Sequence, residues 1–432
     1  MTKLHQTVLP IQLETSDEKL TSLSGLLVLE EMAQAKGLWQ RVDQLLPAPG
    51  SGRGYRASEF MRPLVWLLTA GGRRLEEVLE LRAEQEVLKQ MGMKRLPEAG
   101  TIGDWLRRMG SGVGMERMGR LNEELTQVYL ESQPEELTLD VDATVIEDYK
   151  AEAEWSYQGV RGYQPMLGYV DGICVHQEFR RGNDPAGAGA IEFLRACEKR
   201  IPADKQIYLR SDSAYYQAEV INQFSQAGRS FSITADQDVA VKEAIGQIAE
   251  GQWEQFYTPD GMTTDREIAE TVHCMAQTEQ SFRLIALRWS NPQQDLFEPH
   301  RYCYHAVASN RPLSESASEV IGRHNGRGES ENWHKELKIG FGMEQMPCGQ
   351  IQANAMFFAV GVLAYNLNLL LKVDLLPESY RRCTVATLRW QIYRIAGKLV
   401  RHGRRWILKV KTDSEKLAML MAVRARCWQL SG

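Results

Sequence analysis

The stretch Leu137-Thr138-Leu139-Asp140-Val141-Asp142-Ala143-Thr144-Val145-Ile146 decides how this chain is read. Apolar and polar residues alternate along it, which is the two-residue period of a half-buried strand. That period puts Asp140 and Asp142 on the same strand face. Downstream, residues 166–179 predict two more strands hinged at Asp171-Gly172, a strong hairpin signal. Residues 188–200 predict a helix, 206–211 a fourth strand ending at Asp212, 215–227 a second helix and 229–234 a fifth strand. Three strands, a helix, a strand, a helix and a strand is the ribonuclease-H-like topology, so the fold class expected is α/β with such a core.

The flanks read differently. Residues 16 to about 130 predict helices: Leu23, Leu26, Leu27, Leu29 and Met32 form a near-helical stripe, and Gly71-Gly72 breaks one helix before another over residues 73–91. Ser58 and Thr101 look like N-caps. Small helices joined by tight turns suit a DNA-binding module; a helical scaffold with a solvated face fits as well. Residues 237–309 predict a β-rich insertion with strands at 267–275, 282–289 and 301–308. Helices are then expected at 314–323, 329–338 and 350–372, followed by a basic C-terminal helix. The organisation expected is a helical DNA-binding region over 1–130, a catalytic core over 131–236 and 310–345, the insertion between them, and a helical region over 346–432. No internal repeat or low-complexity tract is visible.

With 432 residues, 43% hydrophobic and 25% charged, the chain has enough apolar material for a sizeable core. Its seven cysteines are scattered and form no CxxC, which points to reduced thiols in a cytoplasm and away from a disulfide framework or a zinc site. The N-terminal residues, with Lys3 and His5 and no apolar run, do not read as a signal peptide. The longest apolar run, 355–365, is too short to span a bilayer and leads into Asn366 and Asn368, so a buried core helix is expected. The net charge of −5 does not advertise a nucleic-acid binder, but residues 381–411 hold ten Lys or Arg and no acid. A local basic stripe is the better footprint of phosphate contact.

A second stretch carries the chemistry. In His324-x-x-Arg327-x-x-x-Glu331-x-x-His334-x-x-x-Lys338, the last four named residues fall at i, i+4, i+7 and i+11 of one helix face. Alone, this pattern is equally a solvated face laced with ion pairs. Together with Asp142 and Asp212 it supplies three carboxylates from three separated elements. Hard oxygen ligands suit Mg²⁺ or Mn²⁺. Two such ions can activate a water or a 3′-hydroxyl and stabilise the leaving oxygen in line. Arg327 and Lys338 would then hold phosphates, one as a fork and one as a point charge. Asp140 rivals Asp142 for the first place. Asp236 and Asp238 read as loop or cap acids, Glu329 points elsewhere on its helix, and His176 reads as a satisfied polar residue. Near the C-terminus Arg394, Lys398, Arg401 and Arg405 lie at i, i+4, i+7 and i+11, a helix face for phosphate contact or for solubility.

On these residues the chain resembles bacterial insertion-sequence transposases of the DDE class, in the clade with a Tyr-x2-Arg-x3-Glu-x6-Lys signature. His324, Arg327, Glu331 and Lys338 keep that spacing, with His324 where the family usually has Tyr. Asp142-Ala143-Thr144 matches the family's first aspartate, two residues before a Thr, and favours Asp142 over Asp140. Arg210-Ser211-Asp212-Ser213 matches the context of the second, and residues 157–165 resemble the loop into the second strand. The resemblance covers about residues 16–410. It implies that Asp142, Asp212 and Glu331 ligate two Mg²⁺ or Mn²⁺ ions, and that Arg327, Lys338 and His324 position phosphates. It implies an enzyme that binds the terminal inverted repeats of its element, cuts at the ends and joins the 3′-hydroxyls to target DNA, as a homodimer on DNA. The 119 positions between Asp212 and Glu331 leave room for the β-rich insertion such enzymes carry. Trp289 and Trp253 are candidates there for stacking on a base near the cleavage site, although most tryptophans in a β domain are core. Two other classes stay open: a related metal-dependent nuclease without strand transfer, and a catalytically silent DNA-binding descendant. A carboxylate-pair hydrolase of sugars is more remote, because the convergent cations disfavour it.

Overall fold

The structure is a computed structural model that describes residues 11, 13–258, 260–291 and 302–430. The expectations for Lys3 and His5, and the start of the strand at Arg301, lie outside those residues.

Nine strands form one mixed sheet: β1 (Glu136–Ala143), β2 (Met166–Val170), β3 (Ile173–Glu178), β4 (Gln206–Ser211), β5 (Ser230–Thr234), β6 (Glu254–Tyr257), β7 (Thr263–His273), β8 (Phe282–Ser290) and β9 (Tyr302–Ser309). Their order is β6-β7-β8-β9-β5-β4-β1-β2-β3. β1 runs parallel to β4, with Asp140 opposite Arg210 and Val141 opposite Ser211. It runs antiparallel to β2, with Asp142 opposite Leu167. The β2–β3 turn uses Asp171 at φ 48° and Gly172 at φ 86°. Two successive positive φ values are what a tight two-residue hairpin turn demands, and Asp-Gly is the pair that tolerates them.

The stretch expected as an insertion does not stand apart from the sheet. β9 pairs with β5 through Val307, Ala308 and Ser309, and β6–β9 continue the sheet from that edge. Val, Ile, Leu and Ala fill its centre, where Leu284, Ile285, Ala286, Leu287, Ala306 and Val307 are all buried. A five-strand sheet with a long apolar edge is an invitation to further pairing, and these strands satisfy it within the chain.

The helices that position the site are α1 (Leu26–Ala35), α2 (Ala57–Ala70), α3 (Ala99–Gly110), α4 (Gly114–Glu131), α5 (Ala190–Glu198), α6 (Ala218–Gln226), α7 (Ala317–Asn325), α8 (Gly328–Lys335) and α9 (Ile351–Leu370). The apolar run 355–365 lies inside α9, which is long and apolar enough to cross a membrane but is mostly buried within the protein. It packs on α2, α3, α4 and β3, so the N-terminal helices share a core with the C-terminal half. Asn366 and Asn368 are buried on α9 and fully used. Asn366 exchanges hydrogen bonds with Cys174 and donates to Asn122 (2.7 Å); Asn368 donates to Thr69 (3.0 Å) and accepts from Tyr393 (2.7 Å). Buried amides persist only when paired in this way.

Several local expectations differ. Ser58 is not a cap: α2 begins at Ala57, and Ser58 instead hydrogen-bonds Asp43 through its backbone and its hydroxyl. Thr101 lies inside α3, which starts at Ala99. Residues 73–91 form a 3-10 helix over Leu75–Glu84 and a short α-helix over Gln85–Gln90. The largest difference is the basic C-terminal helix. Residues 394–405 instead enter a hairpin of β10 (Gly397–His402) and β11 (Arg405–Val410), joined to the short strand Leu20–Thr21 in a three-stranded sheet. Gly403 at φ 58° begins the two-residue turn, the place such a turn takes glycine. The helical spacing of the four cations was therefore a coincidence, and β-rich Leu399-Val400 and Ile407-Leu408 decide the local structure. The last helix, α10 (Ser414–Leu430), follows the hairpin.

Candidate active site

Asp142 and Asp212 come together because β1 and β4 are parallel neighbours, so the ends of both strands reach the same edge of the sheet. Asp212 immediately follows β4 and caps a 3-10 turn, accepting from the Ala214 backbone N–H at 3.1 Å. Asp142 Oδ1 accepts from the backbone N–H of Ala143 at 2.9 Å. One guanidinium nitrogen faces both carboxylates: Arg327 Nη2 stands 3.3 Å from Asp142 Oδ2 and 3.6 Å from Asp212 Oδ2. Burial pushes the Asp142 carboxyl up to about 6; Arg327 opposes the rise, while Asp212 and Glu331 add to it. Glu331 thus acts electrostatically on Asp142, although its own side chain is exposed on α8.

Asp140 has a different environment. It is 1% exposed, and Arg210 holds it through Nε and Nη2, each at 2.7 Å. Arg210 also donates to the Arg323 carbonyl at 2.8 Å, tying β4 to α7. Both Asp140 oxygens are therefore engaged in a buried fork, whereas Asp142 is held by the Ala143 N–H and a longer contact to Arg327.

The other residues singled out by sequence divide into near and far. Lys338 is half-buried and donates from Nζ to the Val145 carbonyl at 2.6 Å, pinning the segment that leaves Asp142. His324 is buried on α7, with Nδ1 2.9 Å from Ser232 Oγ and Nε2 3.1 Å from Thr234 Oγ1 on β5. Burial and neighbouring cations lower its pKa to about 3. Both ring nitrogens are thus engaged by Ser232 and Thr234 on β5. Trp289 is half-buried on β8 beneath Arg266, whose guanidinium lies 4.9 Å from its ring centroid. Trp253 packs at 4.3 Å on Arg288, which also pairs with Glu250 and Glu267. Arg394, just before the hairpin, and Arg401 and Arg405 within it are exposed, while Lys398 pairs with Glu18 at 2.5 Å. Asp238 caps a helix by accepting from Val241, as a cap acid should.

Sequence reasoning gave His334 no role. It is buried on α8, its Nε2 is 3.9 Å from Asp142 Oδ2, and neither ring nitrogen has a hydrogen-bond partner. Arg327 Nε and Ser330 Oγ, on the same helix, are also buried and unpartnered. The only sequence signal was His334's place at i+7 from Arg327.

The carboxylate oxygens of Asp142 and Asp212 are the hard donors that a divalent cation takes. Among the described residues, however, no three His, Cys, Asp or Glu side chains stand close enough together to hold one. Arg327 supplies the positive charge between the two aspartates as they stand.

Similarity over nearly the whole chain places the protein among transposases of the DDE class. The chain belongs to the family described as transposase DDE domain group 1, whose model matches residues 5–431. No curated protein matches the chain. Membership makes DNA its partner, transposition and recombination its field of action, and divalent metal ions the general cofactor of its class.

Proposed function

We propose that the chain is an insertion-sequence transposase of the bacterial clade with the Tyr-Arg-Glu-Lys signature. It binds the terminal inverted repeats of its element, cleaves at the ends and joins the freed 3′-hydroxyls to target DNA. The observation that carries this reading is the shared contact of Asp142 and Asp212 with Arg327 Nη2 at the ends of two parallel strands. The run β3-β2-β1-β4-β5 supports a ribonuclease-H-like core.

In this reading Asp142, Asp212 and Glu331 hold two Mg²⁺ or Mn²⁺ ions, with Glu331 turning inward from α8. Bound there, the ions supply Lewis-acid activation of the attacking oxygen and neutralise charge at the leaving oxygen. The chain's own groups do the rest. Arg327 offers a planar fork to the scissile phosphate once it no longer has to balance two carboxylates. Lys338 contributes a fixed positive charge and holds the segment after Asp142 in register. The exposed cations Arg401 and Arg405, with Lys398, bind DNA backbone from the hairpin, and Arg394 does so from just before it. Trp289 is the base-stacking candidate, half-buried on β8 with Arg266 over its ring. Pairing two element ends calls for a homodimer on DNA.

The test is a strand-transfer assay with labelled element-end DNA, a plasmid target and Mg²⁺ or Mn²⁺, run beside Glu331→Gln. Joined products from the native protein alone support the reading. Cleavage without joining points to a nuclease, and binding without either reaction leaves a DNA-binding protein.

A further inference from the structure

We propose that His334 is a positioning residue for the first aspartate: its Nε2–H orients the Asp142 carboxylate for metal binding. This rests on the reading of Asp142 as a metal ligand. The ring lies 3.9 Å from Asp142 Oδ2, just beyond hydrogen-bond range, and is 6% exposed. Its two nitrogens are the most conspicuous orphans of the site, since a buried donor or acceptor is ordinarily paired. The ring faces Asp142 Oδ2, and Lys338 and Arg327 are the charges that act on it from its own side.

The surroundings fix where the ring can point. Tyr169 on β2 meets it edge to face at 5.3 Å and 83°, and Trp333, the preceding residue, packs on the same tyrosine at 5.4 Å. Tyr169 in turn lies opposite Asp140 across the β1–β2 ladder. The imidazole is thus wedged between the sheet and α8 with one edge toward Asp142. A neutral imidazole carries one N–H, and the tautomer with it on Nε2 presents a donor toward Oδ2. Asp142 Oδ1 is already fixed by the Ala143 N–H. A bond from His334 to Oδ2 would fix the second oxygen when Arg327 turns to a phosphate. The shift needed from 3.9 Å is about 0.7–1.2 Å, because hydrogen bonds of this type are about 2.7–3.2 Å long. Such outer partners hold ligating carboxylates in orientation, and losing one commonly weakens metal affinity about 10–100-fold.

The experiment compares His334→Gln with His334→Asn in the full-length protein, measuring Mn²⁺ binding by calorimetry without DNA and melting temperature without metal. Glutamine can place its amide N–H where Nε2 stands, whereas asparagine reaches only the Nδ1 position. The expected result is near-native Mn²⁺ affinity for Gln and a loss of at least 10-fold for Asn, with similar melting temperatures. Equal affinities for both variants and the native protein would overturn the positioning role while leaving Asp142 as a ligand. His334→Leu, which has no donor at all, should bind Mn²⁺ as weakly as the Asn variant; native-like binding by it would overturn the role as well. A native protein whose Mn²⁺ binding is indifferent to Asp142→Asn would instead sink the metal-ligand reading and the inference with it.

Discussion

Arg210 holds the buried carboxylate of Asp140 through two hydrogen bonds of 2.7 Å from one guanidinium. Two aspartates on one strand face therefore have separate tasks. Asp140 is a structural anchor that ties β1 to β4, and Asp142 is left to face Arg327. Removing one partner of a buried pair strands the other charge, at a cost of about 3–5 kcal/mol. Asp140→Ala is expected to lower stability by that order, measured by urea unfolding. Asp142→Ala, whose carboxylate has weaker contacts, should cost far less. Equal losses would refute the division of labour.

Arg327 is the charge that balances Asp142 and Asp212 in the metal-free protein. Its replacement by Gln removes a competitor for any cation at those carboxylates. Mn²⁺ affinity should then rise several-fold, while DNA cleavage falls by at least about 10-fold, because a bidentate phosphate contact is lost. A parallel fall in both would mean that Arg327 merely builds the site.

Glu30 on α1 is a buried acid far from this chemistry in sequence. It accepts from the indole N–H groups of Trp39 and Trp66 and from Gln34, with Arg62 3.6 Å away. Burial, the largest influence, raises its pKa from 4.5 to about 7 against the pull of Arg62. A raised carboxyl pKa means that the native state binds a proton the unfolded chain has lost. Stability from this group is greatest below about 4.5 and declines as pH rises to about 7, by about 3 kcal/mol in all. Urea unfolding at pH 5 and pH 7.5 should show that decline, and Glu30→Gln should flatten it. The Gln variant is also expected to lose about 1–3 kcal/mol at pH 5, because its NH₂ would face a tryptophan N–H.

The hairpin of β10 and β11 carries the exposed Arg401 and Arg405 at its tip. Arg401→Ala and Arg405→Ala should each weaken binding to unrelated and element-end DNA alike, and each should lower the slope of log affinity against log salt by about 1. Melting temperature should hardly change, since neither side chain is buried. An unchanged salt slope in both variants would remove the hairpin from the DNA interface.

Much of the central sheet was legible in advance, and for a local reason. The alternation through Leu137–Ile146 and the Asp171-Gly172 turn are properties of adjacent residues; the β2–β3 hairpin formed where indicated, and β1 formed over Glu136–Ala143, short of the expected end at Ile146. The basic C-terminal stretch was misread because four cations happened to match a helical period. Leu399 on β10 is buried against the core, and the β10–β11 ladder aligns it with Leu408. Pairing partners at the chain's other end, Leu20 and Thr21, complete that small sheet and leave no local signature. Nor does the sequence announce that residues 237–309 extend the same sheet, because the β9–β5 pairing joins segments some seventy residues apart.

By itself, then, the sequence determined the strand and helix periods, the Asp-Gly turn, the apolar α9 and the spacing of Arg327, Glu331, His334 and Lys338. These follow from backbone geometry and the hydrophobic pattern, which act over a few residues. Only the tertiary structure decided which aspartate Arg210 holds, that Arg327 bridges Asp142 and Asp212, that His324 is spent on Ser232 and Thr234, and that His334 faces Asp142 unpartnered. Those facts depend on which side chains the folded chain brings within a few ångströms, and on the water it excludes between them, and neither is written in any short stretch of residues.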